Sequence, residues 1–143
     1  GPDESFEIGG SKVLKSSDDD KVTIVAAGIT LHEALTAAGV LADEGIAARV
    51  IDLYSVKPID TDTLVAAARA TGGRVMTVED HWPEGGIGDA VAAALAEAQL
   101  DIPLRLVKLA VTAMPGSAKP DECIAAAGLD AESIAGAARK LAG

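Results

Sequence analysis

From Val22 to Leu109 the chain alternates between short β-branched runs and stretches in which apolar residues recur at helical spacing. This alternation constrains the fold more than any other feature. A run with period two cannot settle as a helix, and a run with period 3.6 cannot settle as a strand. Strands that take turns with helices pack as a parallel sheet, with crossover helices covering its faces. Val22-Thr23-Ile24-Val25-Ala26-Ala27 ends at Gly28 and reads as a strand buried on both faces. Residues 48–53, 74–78 and 104–109 repeat the pattern, and Lys12-Val13-Leu14-Lys15 adds a short edge strand expected to break the parallel order. The expected fold is α/β: a three-layer α/β/α sandwich around a five-stranded, mostly parallel sheet with one antiparallel edge strand.

The helices between these strands carry their own punctuation. Thr30-Leu31-His32-Glu33 matches a capping box, so Thr30 and Glu33 are expected to cap the first helix. Its apolar face is Leu31, Ala34, Leu35, Ala38 and Leu41, and Gly45 stops it. Asp60 is placed to cap a second helix that buries Leu64, Val65 and Ala68 and ends at Gly72-Gly73. A third helix turns Val91, Ala94, Leu95 and Ala98 inward. Pro120 suits the first turn of a fourth, and Asp130 opens a last one with Ile134, Ala138 and Leu141 on its core side. Aromatic residues are only 2% of a chain that is 49% apolar, so the core must be assembled from Ala, Val, Leu and Ile. With 143 residues, one domain is expected over 11–143. Residues 1–10 read as an incoming linker or tail, with Gly1-Pro2 resembling a protease scar.

Charge and composition exclude several functions. The net charge of −10 repels phosphate backbones and anionic lipid, which argues against nucleic-acid and membrane-surface partners. No apolar run reaches the roughly 20 residues a membrane-spanning helix needs, and the first residues lack the pattern of a signal peptide, so the expected location is cytoplasmic. A single cysteine, Cys123, rules out an internal disulfide and reads as small core filling in an alanine-rich helix. Asp18-Asp19-Asp20 reads as a solvated turn.

The densest cluster of unusual residues is Glu79-Asp80-His81-Trp82-Pro83-Glu84-Gly85-Gly86-Ile87-Gly88, which follows a strand end, where ligands collect in open α/β sheets. Acid–base work by His81 would require a nucleophile or a positioning cation nearby, and the sequence supplies neither. A role in docking or a structural role remains open to it. The glycines before a helix could expose N–H groups to a phosphate, or could simply let the helix pack closely. Neither a dinucleotide fingerprint nor a P-loop is present. Tyr54 and Trp82, both in loops, could contact a partner or anchor their loops. The expected docking or regulatory surface is therefore Asp80, His81, Trp82, Gly85, Gly86 and Gly88, with no catalytic, cofactor-binding or metal-ligating residue.

Taken together, four segments resemble the C-terminal domain of transketolases. They are Gly28-Ile29-Thr30-Leu31-His32-Glu33-Ala34-Leu35, then Asp52-Leu53-Tyr54-Ser55-Val56-Lys57-Pro58-Ile59-Asp60, then Val78-Glu79 through Asp89-Ala90-Val91, and Pro115-Gly116-Ser117-Ala118-Lys119-Pro120-Asp121-Glu122. Gly116-Ser117-Ala118 departs from the Ser-Gly that many members carry. The resemblance implies a five-stranded domain of a homodimeric enzyme that moves a two-carbon ketol unit between sugar phosphates in the pentose phosphate pathway. Thiamine diphosphate and a divalent metal such as magnesium would sit in the other domains of the parent chain. This chain lacks their Gly-Asp-Gly motif, so it is expected to bind no cofactor and to be inactive alone. It would help assemble the dimer and could bind a regulator. Related readings are the matching domain of a 2-oxoacid dehydrogenase β subunit or of deoxyxylulose-phosphate synthase, where the former docks a partner acyltransferase. A stand-alone small-ligand module and a purely structural oligomerisation domain belong to other classes.

Overall fold

The computed structural model describes residues 4–114 and 116–143, and the alternating pattern becomes one sheet with helices on both faces. The strands are β1 (Lys12–Lys15), β2 (Val22–Ala26), β3 (Ala48–Asp52), β4 (Arg74–Val78) and β5 (Arg105–Leu109). The helices are α1 (Ile29–Asp43), α2 (Thr61–Ala70), α3 (Ile87–Glu97), α4 (Pro120–Ala126) and α5 (Ala131–Ala142). The spatial order is β1-β3-β2-β4-β5. β2 pairs in parallel with β3 and β4, and β4 pairs in parallel with β5. β1 runs antiparallel along β3, with an irregularity between Val13 and Lys15.

Two apolar layers follow from the alternation of side chains along each strand. On one face Ile24, Val50, Met76 and Val78 pack under Ala34, Ala38 and Leu41 of α1 and Ile134, Ala135 and Ala138 of α5. On the other, Val25, Ile51 and Val75 pack against Leu64 and Ala68 of α2 and Val91 and Leu95 of α3. Alanines bring these helices close to the sheet, which suits a core almost without rings. Asp60 caps α2 by accepting from the N–H of Thr63 at 3.1 Å, and Asp130 caps α5 by accepting from Ser133 at 3.1 Å.

The expected capping box at α1 does not form. Gly28 stands at the N-cap and no side chain caps that end, because the helix already begins at Ile29 and Thr30 lies inside its first turn. There the buried hydroxyl of Thr30 donates to Ala27 O at 2.9 Å and Val78 O at 3.0 Å, pinning α1 to the end of β4. Glu33 reaches a different helix and accepts from the N–H of Ala131 at 2.8 Å, adding a second cap to α5. Thr30→Ala is accordingly expected to cost about 1–3 kcal/mol, because the buried Val78 carbonyl loses the hydroxyl that bonds to it. A urea midpoint equal to the parent's would show that the tie contributes nothing.

One further expectation changes. Asp20 is buried, not solvated, and accepts from Ser17 N–H, Ser17 Oγ and Arg49 Nε at 2.9, 2.8 and 3.0 Å. Tyr54 anchors its own end of the molecule: Phe6 meets its ring edge-on at 4.8 Å between centroids, and Lys12 Nζ lies 3.7 Å from the Phe6 centroid. With Gly9 N–H donating to Ser55 Oγ at 3.0 Å and Ser11 Oγ to Asp60 Oδ2 at 2.8 Å, the lead-in is held against the loop after β3.

Candidate functional site

The strand order reverses at β2, so the carboxyl ends of β2 and β4 form the crevice where open α/β sheets place ligands. Residues 79–86 emerge there, between β4 and α3. Thr30 closes the crevice by bonding to Val78 O, and the void left beside Ile29, Thr30 and Asp80 measures only about 10 Å³. That is room for about one water molecule and no more.

The loop itself divides into an inward and an outward half. Glu79, continuing β4, is 2% exposed, and its carboxylate sits on the N-terminus of α3. Oε1 accepts from Ile87 N–H at 3.1 Å and Oε2 from Gly88 N–H at 2.6 Å. An anion is favoured at this point because the first N–H groups of a helix lack partners and the helix dipole is positive there. The site a phosphate would take is therefore filled by the protein's own carboxylate. Gly86 and Gly88 make the approach feasible: a Cβ on Gly86 would overlap Glu79 Oε1, and one on Gly88 would lie 2.9 Å from Oε2.

Lys108 on β5 ties down the middle of the loop, donating to Asp89 Oδ1 at 2.7 Å and to Pro83 O at 3.1 Å. Asp89 Oδ2 accepts from the N–H of Gly85 at 2.7 Å. The Gly85 N–H and then the Lys108 ammonium hold the Asp89 carboxyl below its ordinary value of 3.8, and the same pairing raises Lys108. Because the folded value of Asp89 is depressed, the tether is complete above pH 3.8 and is lost as pH falls through the lower folded value. An NMR titration is expected to show the Gly85 amide and the Asp89 carboxyl moving together with a midpoint below 3.8. In Lys108→Met that midpoint should rise, and an unmoved midpoint would remove Lys108 from the tether.

The outward half is Asp80, His81 and Trp82, all exposed. His81 Nδ1 lies 2.8 Å from Trp82 O and 3.8 Å from Glu79 Oε1, while its backbone oxygen accepts from Val111 N–H at 2.9 Å. The imidazole thus faces outward, with a backbone oxygen and the edge of the Glu79 carboxylate beside Nδ1. Asp80 also borders a cleft of about 410 Å³ with Met114, Ser117, Glu122, Cys123 and Leu129. Cys123 thus lines a cleft instead of filling the core, because α4 buries none of its residues.

Of the six expected surface residues, Asp80, His81, Trp82 and Gly85 are exposed, while Gly86 and Gly88 lie against the carboxylate of Glu79. Glu79, Asp89 and Lys108 hold this loop and the start of α3, and sequence reasoning passed over them. Glu79 stood in view beside His81, but its partners lie eight and nine residues on, and Lys108 comes from another strand. The residues do not fit a diphosphate–magnesium group. The helix N-terminus is occupied by Glu79, the large cleft carries Asp80 and Glu122 without a cation, and the described residues contain no group of three or more His, Cys, Asp or Glu able to hold a metal ion.

A family model described as Transketolase, C-terminal domain, matches residues 11–134. Transketolase-like protein 1 of Bos taurus is 49% identical over 140 residues, covering 98% of this chain and 23% of that protein. Human transketolase is 46% identical over 138 residues, covering 96% of this chain and 22% of its own length. A solved structure described as a split gene transketolase, inactive β4 tetramer, superposes with a TM-score of 0.88 at 45% identity, over 99% of this chain and 45% of that one. A transketolase from Pichia stipitis superposes with a TM-score of 0.69 at 20% identity, over 94% of this chain and 18% of the other, a likeness of fold alone. The chain spans less than a quarter of the length of these curated relatives.

Proposed function

The chain belongs to the transketolase C-terminal domain family, and from that premise we propose that it serves a cytoplasmic, homodimeric enzyme moving a two-carbon ketol unit between sugar phosphates. Thiamine diphosphate and a divalent metal belong, in this reading, to the domains that precede it in the parent polypeptide. The domain's own task is assembly, with Asp80, His81 and Trp82 as part of its docking surface. The observation that carries the proposal is identity of 46% to human transketolase along 96% of the chain. The chemistry of the carboxyl edge supports it: its clustered carboxylates and self-capped helix suit contact with protein better than capture of an anionic sugar or diphosphate.

Two measurements test the reading. The parent polypeptide carrying this domain should transfer a two-carbon unit from a ketose phosphate to an aldose phosphate acceptor, and residues 1–143 alone should not. Calorimetry of residues 1–143 with thiamine diphosphate and magnesium should show no heat of binding. Micromolar affinity there, or a parent without ketol transfer, would overturn the proposal.

A further inference from the structure

The exposed large apolar side chains of this molecule are not scattered. Among the described residues there are eight: Phe6, Ile8, Val13, Leu14, Ile29, Val56, Trp82 and Met114. Val13 and Leu14 lie on the edge strand β1 itself. The other six all sit at the end of the sheet where the parallel strands finish. Phe6 and Ile8 precede β1, Val56 follows β3, Ile29 follows β2, Trp82 follows β4 and Met114 follows β5. Read across the strand order, every strand contributes one or two apolar side chains to this edge, over roughly 19 Å for five strands about 4.8 Å apart. Their exposure runs from 39% at Val56 to 91% at Ile8. The opposite edge, made by 16–21, 44–47, 71–73 and 98–104, exposes no large apolar side chain. The 410 Å³ cleft opens on the same edge, beside Met114.

We infer that this whole carboxyl edge is one docking face, and that its occupant is the preceding domain of the same parent polypeptide. The inference rests on the family reading above and extends the surface from one loop to the ends of all five strands. Apolar side chains grouped on one face mark a contact surface, whereas single ones do not. Three facts select the occupant. Residues 6–11 are fastened to the loop after β3, so chain arriving from upstream is delivered onto this edge. In the bovine and human relatives the matched region is 23% and 22% of the polypeptide, so most of each chain lies outside a domain described as C-terminal. A tethered domain also meets the face at a high effective concentration that a second copy lacks. The tether formed by Lys108, Asp89 and Gly85 holds Trp82's loop in place before contact, which lowers the ordering cost of docking.

The test is hydrogen–deuterium exchange on the parent polypeptide, with ketol transfer assayed on the same sample. Peptides covering 5–9, 28–31, 54–58, 80–84 and 112–114 are expected to exchange at least tenfold more slowly than 16–21, 44–47 and 98–104, with no change on tenfold dilution. The double variant Trp82→Asp with Met114→Asp should speed exchange in the other three segments at least tenfold while β2 and β4 stay protected. Fast exchange along this edge in the unmodified parent, or protection that fades on dilution and so reports a second copy, overturns the inference. So does a double variant that leaves the other segments slow, or one that releases β2 and β4 as well. An active parent with an exposed edge sinks only this inference. An inactive parent with a protected edge sinks the ketol-transfer reading.

Discussion

Glu79→Ala is expected to destabilise the folded chain by about 2–4 kcal/mol, through two helix N–H groups left without an acceptor and loss of the anion at the helix dipole. Glu79 is buried, and the N–H groups of Ile87 and Gly88 bond to its two oxygens at 3.1 and 2.6 Å. Water cannot easily replace it, because Gly88 is buried beside it. Glu79→Gln keeps one carbonyl oxygen and is expected to lose about half as much. Urea unfolding with an unchanged m-value would measure both. An Ala variant within 0.5 kcal/mol of the parent would mean that the carboxylate is not what holds α3 at its start.

The second large effect lies at the opposite end of the sheet. Gly73→Ala is expected to cost about 2–5 kcal/mol, combining the left-handed backbone with a steric clash. Gly73 has φ of 79°, and a Cβ there would overlap the backbone oxygen of Pro103. The neighbour is backbone, fixed by the bond from Arg105 N–H to Gly73 O at 2.8 Å, so it has little freedom to move aside. Gly45→Ala provides the control, since Gly45 has φ of 80° but nothing within 4 Å of a built Cβ. Its loss should stay near the backbone cost of about 1–2 kcal/mol. Equal losses at the two positions would show that the close approach to Pro103 contributes nothing.

The strands, most helix bounds and both aspartate caps were legible because each depends on a few neighbouring residues. Thr30 shows where such reading stops. Its local pattern of Thr, two residues and Glu satisfies the capping rule, yet the hydroxyl found Val78 O, 48 positions away, and Glu33 found Ala131 N–H, 98 positions away. Both partners are delivered by the sheet order, which no local window contains. His81 drew notice as the rarer residue, while Glu79 beside it held the helix and Trp82 shared its surface with side chains from four other loops.

What the sequence by itself determined was the class of fold, the antiparallel first strand and the family likeness. Periodicity decides which face of each element must be buried, and buried faces leave few ways to stack. Only the tertiary structure decided the site. The crossovers bring residues 6–8, 29, 56, 82 and 114 to a single edge, and the packing of α3 turns Glu79 inward onto two N–H groups. Which polar group meets which partner depends on distances between segments far apart in the chain, and those distances exist only once the sheet has formed.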